Sequence, residues 1–258
     1  MFCAAAPQNA KPRTRDGYAE AVDLFERALV LDPRSLEAQG RLVIALTSRV
    51  LDQMTASAAA DIARAETLIR QVTATAPLSP LTHFAKGQLL RVQRRYAEAI
   101  PEYEAVITLN RNWVRAFGLL AECKLFAGSI DELIPLHEQA IRISPWDPLI
   151  SIWYFRIGVA HLLQSHIDEA IVWFEKARSA NSELPYAHSH LASADALNGE
   201  TERAAVELVE ARRLSGDHRY SSFARLKAVQ YWGVPKIRAL YEANISPGCA
   251  GRGCRRNK

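Results

Sequence analysis

The sequence has no apolar run long enough to span a membrane. Even Leu119–Phe126 is interrupted by Glu122 and Lys124, so no helix of the roughly 20 apolar residues that cross a bilayer is expected. The first fifteen residues, MFCAAAPQNAKPRTR, have no apolar core of a secretory leader, and a cytoplasmic location is expected. Glycine and proline are few, 12 of each in 258 residues, and with 49% hydrophobic and 23% charged residues the composition is that of a folded chain. There are only four cysteines: Cys3, Cys123, Cys249 and Cys254. Gathering them would require both chain ends to fold onto the body, so no thiolate metal site is expected. GxSxG, HExxH and GxxxxGK[ST] are absent. His188 and His190 are two apart and point to different helix faces, while His161 and His166 are five apart instead of the four that would stack them. The acid pairs Asp131–Glu132 and Asp168–Glu169 fall at helix starts, where carboxylates complement the helix dipole. The expectation is a chain with no catalytic residue, no metal and no cofactor.

Excess charge of one sign is also missing from the body. The formal net charge is +4. Lys11, Arg13 and Arg15 lie in residues 1–15, and Arg252, Arg255, Arg256 and Lys258 lie in residues 245–258, neither segment holding an acid. Setting these seven aside leaves 25 basic against 28 acidic residues, a net −3. A basic nucleic-acid-binding face on the body is therefore not expected.

What the chain does have is a repeat. An alanine, an aromatic or aliphatic residue four later, a small residue three later and often a proline five further recur along it. The copies are Ala21, Phe25, Ala28, Pro33; Ala65, Ile69, Val72, Pro77; Ala99, Tyr103, Val106, Arg111; Leu133, His137, Ala140, Pro145; Ala170, Phe174, Ala177, Ser182; and Ala204, Leu208, Ala211, Gly216. Successive starts differ by 44, 34, 34, 37 and 34 residues. In YAEAVDLFERALVLDP the small residues Ala21 and Ala28 let a second helix approach while Phe25 fills the gap, and the helix ends before Pro33 because the residue preceding a proline avoids helical geometry. Each partner helix carries a matching small residue: Gly87, Ala121, Gly158 and Ala192. Ten extra residues around 48–57 predict a prolonged helix and a loop, and three extra near Asp147–Ile150 lengthen a later turn.

This pattern resembles the tetratricopeptide repeat (TPR) family over roughly residues 17–217. The resemblance implies an all-α, right-handed superhelical solenoid of antiparallel helix pairs. The expected organisation is an irregular basic segment at 1–15, an array of about five and a half units at 16–217, a helical cap at 218–244 and a disordered tail at 245–258. The first unit has only its second helix, leaving the stripe Ala21, Leu24, Phe25, Ala28 without a partner on one side, as expected of a piece of a longer chain. His83 and His188 stand at the fourth position of their units, where the family prefers an aromatic, and are read as core.

The implied function is binding of a protein or peptide partner in a concave groove lined by the first helix of each unit. Repeat position assigns to that groove Phe84, Gln88, Arg91, Arg115, Glu122, Phe126, Phe155 and Tyr186, aromatics interspersed with Arg that suit an extended or helical peptide. The positions at which some TPR proteins clamp a terminal carboxylate hold Gly40, Ile44, Phe84 and Gln88 here, which argues against that mode. Residues 144–163, 199–222 and 231–243 also resemble the carboxyl-terminal repeat regions of bacterial class III adenylate/guanylate cyclase-like proteins. That resemblance implies, as an alternative, a regulatory portion of a signalling protein detached from its catalytic domain. The segment NISPGCAGRGCRRNK departs from the tail of that group, and a frameshifted reading of the group's usual tail would account for it.

Overall fold

The computed structural model describes residues 14–215 and 235–244. The described residues form twelve helices and no strand: α1 (Arg15–Leu31), α2 (Leu36–Leu51), α3 (Ala58–Thr75), α4 (Pro80–Val92), α5 (Tyr96–Leu109), α6 (Val114–Ala127), α7 (Leu133–Ile143), α8 (Ile150–Leu163), α9 (Ile167–Ala180), α10 (Pro185–Leu197), α11 (Thr201–Ser215) and α12 (Pro235–Asn244). They belong to two compact units, Met1–Arg111 with α1–α5 and Asn112–Lys258 with α6–α12. In the first unit α1 packs on α2, α2 on α3 and α4, and α4 on α5. In the second, each helix from α6 to α11 packs on the next, and α12 meets α8. The even-numbered helices α2–α10 are the first helices of the repeats and the odd-numbered ones from α1 to α11 the second.

Capping fixes where the helices begin. The side chains of Thr14, Ser35 and Ser57 accept hydrogen bonds from the backbone N–H groups of Gly17, Ala38 and Ala60 at 3.1–3.3 Å. Pro80 and Pro185 open α4 and α10, where a missing N–H is harmless. Second helices share one ending. The N–H of Asp32, Ala76, Asn110, Ser144 or Asn181 bonds to the carbonyl four residues back, and the residue itself leaves helical geometry. A proline follows Asp32, Ala76 and Ser144 and enforces this. Asn110 and Asn181 reach it without one, at φ −147° and −155°, and the Asn181 side chain takes the N–H of Glu183 at 2.9 Å.

First helices share another ending. Gln53, Arg94, Gly128, Ser165 and Gly199 have φ of 59°, 64°, 112°, 63° and 87°. Beyond each, the next N–H reaches back five residues, as in Arg95 to Leu90 at 2.9 Å and Ser129 to Lys124 at 2.8 Å, which is a Schellman closure. Only two of the five use the glycine that the left-handed region favours. The ten-residue insertion is absorbed here: α2 runs on to Leu51, a turn occupies 52–57, and α3 starts at Ala58. An Arg49–Asp61 ion pair ties the turn down, and Thr55 Oγ1 donates to Asp61 at 2.6 Å.

In two pairs, α4–α5 and α8–α9, an aromatic on the second helix seats against a glycine on the first. A Cβ built on Gly87 would lie 2.8 Å from Tyr103, and one on Gly158 would lie 2.7 Å from Phe174. Glycine alone permits this approach, and both rings are fully buried. The equivalent positions of the α6–α7 pair hold Ala121 and the smaller ring of His137, both buried. Of the expected cap, Pro235–Asn244 is helical and its Ile237 is buried. Residues 218–234 of the cap, the tail 245–258 and residues 1–13 of the basic segment lie outside the described residues.

Candidate functional site

Each unit contributes its own first-helix side chains, beginning with α4 in the first. The ring of Phe84 meets that of Tyr103 edge-on, 5.7 Å between centroids. Tyr103 donates its hydroxyl proton to Gln88 Oε1 at 3.1 Å, Arg91 donates to the same oxygen at 2.6 Å, and Gln88 Nε2 lies 3.4 Å from Ser48 Oγ. Phe84 and Gln88 are both 1% exposed. They are therefore corrected from groove-lining residues to core. Close packing of α4 on both α2 and α5 brings the face that carries them inside, and Gln88 is the polar anchor of the buried tyrosine. Arg91 keeps partial exposure beside them.

In the second unit Arg115 is exposed on the first turn of α6, while Glu122 and Phe126, further along that helix, are buried. Glu122 pairs with Arg156 of α8 at 2.9 Å, and the Arg156 guanidinium lies 5.6 Å from the centre of the Phe155 ring. Phe155 is buried in a cluster with Phe174, Tyr186 and His190, at centroid distances of 5.8, 4.6 and 4.9 Å. Glu122, Phe126 and Phe155 are thus also interhelix core, and half-buried Tyr186 continues the cluster outward. Of the eight expected residues, Arg91, Arg115 and Tyr186 retain access to solvent. Position along a helix was legible in the sequence, but how closely the neighbouring first helix approaches was not.

Burial sets the electrostatics. Desolvation pushes the His137 imidazole down to about 4, against the upward pull of the Leu133 carbonyl, to which Nδ1 lies at 2.9 Å. His190 is likewise lowered to about 4 by burial, with Nδ1 2.8 Å from the Tyr186 carbonyl. Both rings are neutral at physiological pH. Asp195 on α10 is fully buried and burial raises its carboxyl, while Arg203 at 3.4 Å pulls the other way.

One arrangement was missed in the sequence. His83 Nδ1 lies 2.7 Å from Glu102, and His188 Nδ1 lies 2.6 Å from Glu207, each pair nineteen residues apart. Lys86 joins the first pair at 2.6 Å, and Arg178 joins the second. Tyr154 and Trp173 stand in the same relation on α8 and α9, 5.7 Å apart. The slot between the first turn of a first helix and the residue before the second helix's central signature position is thus filled by charged and polar side chains or by rings. A histidine and a glutamate recurring at nineteen residues was the signal. Among the described residues no group of three or more His, Cys, Asp or Glu is placed to hold a metal ion, Cys123 is buried, and no helix is long and apolar enough to cross a membrane.

Residues 54–112 match the tetratricopeptide repeat family. The solved structures agree on the fold. The Cut9–Hcn1 complex, described as an APC/C hetero-tetramer, aligns with a TM-score of 0.64 at 15% identity, covering 91% of this chain and 42% of that one. PilF of Pseudomonas aeruginosa aligns at 0.60 and 16% identity, over 84% of this chain and 91% of that one. YrrB, described as a TPR protein with an unusual peptide-binding site, aligns at 0.52 and 16% identity, over 81% and 98%. No curated protein matches the chain. The repeating helix pairs of this chain have the TPR fold.

Proposed function

We propose that the chain is a non-enzymatic scaffold, each of whose units binds a segment of a partner protein along its own first-helix faces. The observation that carries this reading is the division of labour among first-helix side chains. Phe84, Gln88, Glu122, Phe126 and Phe155 are spent on holding the pairs together, while Arg91, Arg115 and Tyr186 keep solvent access beside them. Arginine and tyrosine supply charge-assisted hydrogen bonds and a flat apolar surface, the combination that dominates peptide-binding hot spots. YrrB, of similar fold, is described as having a peptide-binding site, which supports a peptide as the kind of ligand. A partner is to be sought by pull-down with the wild-type chain and with an Arg91→Ala, Arg115→Ala, Tyr186→Ala triple variant. Loss of the recovered partner with an unchanged helical circular dichroism spectrum is expected; equal recovery would remove these residues from the binding faces of their units. Phe84→Ala is unsuitable for this purpose, because it would cut into the core.

A second reading, a regulatory portion of a cyclase-like signalling protein, rests on the resemblance of residues 144–163, 199–222 and 231–243. A cyclase reading frame directly upstream would favour it.

A further inference from the structure

The repeat signature has one copy that stands apart. In α3, α5, α7 and α9 all three signature positions are buried: Ala65, Ile69, Val72; Ala99, Tyr103, Val106; Leu133, His137, Ala140; and Ala170, Phe174, Ala177. In α1 the same positions, Ala21, Phe25 and Ala28, are only half-buried, and no residue of that helix is fully buried. Phe25, with Val22 and Leu29, packs on one side against the core of α2 and α3. The opposite side continues into Leu24, 53% exposed, and Leu31, 88% exposed, giving an apolar stripe at helical spacing. A stripe of this kind on a folded helix marks a contact surface.

The other pairs specify what covers such a stripe. In α4–α5 and α8–α9 the cover is a helix of 13 or 14 residues whose glycine lies against the aromatic ring, closer than any Cβ could come. Phe25 occupies the position of those rings. Charge adds a direction. Asp16, Glu20 and Asp23, the last paired with Arg27, outnumber Arg15 in the N-terminal half of α1, and an antiparallel partner brings its last turn there, the turn that carries Arg91 in α4, Lys124 in α6 and His161 in α8.

We propose that the α1 face of Ala21, Leu24, Phe25 and Ala28 is a docking site for an amphipathic helix supplied by a partner protein, with glycine or alanine against Phe25 and a basic last turn. The site is separate from the first-helix faces and does not depend on them. The probe is a synthetic, fluorescently labelled peptide with the sequence of the chain's own Ser79–Val92, which carries Gly87, Lys86 and Arg91; its control is the same peptide with Gly87→Leu. Titrated against the full chain, the glycine peptide should bind saturably and at least about tenfold more tightly than the leucine peptide, as expected when one close contact is replaced by a clash. Ala28→Arg should abolish binding while leaving the melting temperature near that of the wild type. Should that variant unfold, Leu24→Arg at an exposed position serves in its place. Equal affinity for the two peptides, or binding that survives the arginine, would overturn the proposal. So would binding seen only after removal of residues 1–13, which would assign the face to the chain's own leading segment. A dimer dissolved by Ala28→Arg would assign it to a second copy, with the same consequence.

Discussion

The α4–α5 pair of the first unit and the α6–α7 pair of the second solve the same packing problem with different chemistry. Tyr103 fills its slot against Gly87 with a phenol whose hydroxyl is satisfied by Gln88. At the equivalent position of α7 stands His137, a buried imidazole beside Gly118 whose Nδ1 lies 2.9 Å from the Leu133 carbonyl. Tyrosine keeps its form across the physiological pH range. Histidine is a suitable filler only while neutral, because its protonated form would be an imidazolium buried without a carboxylate in hydrogen-bonding contact. The second unit repeats the choice at His190, and the first unit has no buried neutral imidazole among its described residues. Equivalent repeat positions therefore carry unequal sensitivity to acid, and that difference can be broken experimentally.

The largest effect is expected from removing the filler itself. Tyr103→Ala deletes a fully buried ring and removes one of the hydrogen bonds to Gln88, and should cost about 3–5 kcal/mol in urea unfolding. Phe25→Ala, at the half-buried copy of the same position, should cost clearly less. Equal losses would mean that burial of the signature does not set its contribution.

Acid comes next. The unfolded imidazole titrates near its ordinary value of 6.5, whereas His137 and His190 are lowered to about 4 in the folded chain. Below the unfolded value the unfolded chain takes up protons that the folded chain refuses, so the stability contributed by each group is present above about pH 6.5 and is lost as the pH falls toward about 4. Between about pH 7.5 and about pH 5 the loss is on the order of 2 kcal/mol for each ring. His137→Phe restores the aromatic that the repeat favours and should flatten its share of the pH dependence, read as the urea midpoint at the two pH values. An unchanged slope would show that this ring is not the source.

The smallest effect concerns the turns within repeats. Arg94 and Ser165 hold left-handed backbone at φ 64° and 63°, a conformation that costs a non-glycine residue about 1 kcal/mol. Arg94→Gly should therefore raise stability by about 0.5–1 kcal/mol, while Gly128→Ala at φ 112° should lower it by a similar or larger amount. Thermal unfolding of the two variants gives the sign directly.

The second helices were the most legible part of the sequence, because the spacing of a small residue, a ring and a second small residue records a local requirement for close approach. Their ends were legible at Pro33, Pro77 and Pro145, and the same ending at Asn110 and Asn181 shows that the proline reinforces a geometry the turn adopts anyway. The first-helix endings were not legible, since Gln53, Arg94 and Ser165 carry no glycine to announce a left-handed residue. The candidate binding residues were legible only by position. Whether Phe84 faces solvent depends on how closely α2 and α5 approach α4, and this follows from contacts distant in sequence. The pairing of His83 with Glu102 and of His188 with Glu207 is local to one repeat but spans two helices, so single-helix spacing could not reveal it.

Hydrogen exchange measured residue by residue at about pH 7.5 and about pH 5, corrected for intrinsic rates, tests the contrast between the pairs most directly. Protection should fall across α6–α10, around His137 and His190, and hold across α2–α5. An equal loss in both units, or a loss confined to the first, would contradict the account.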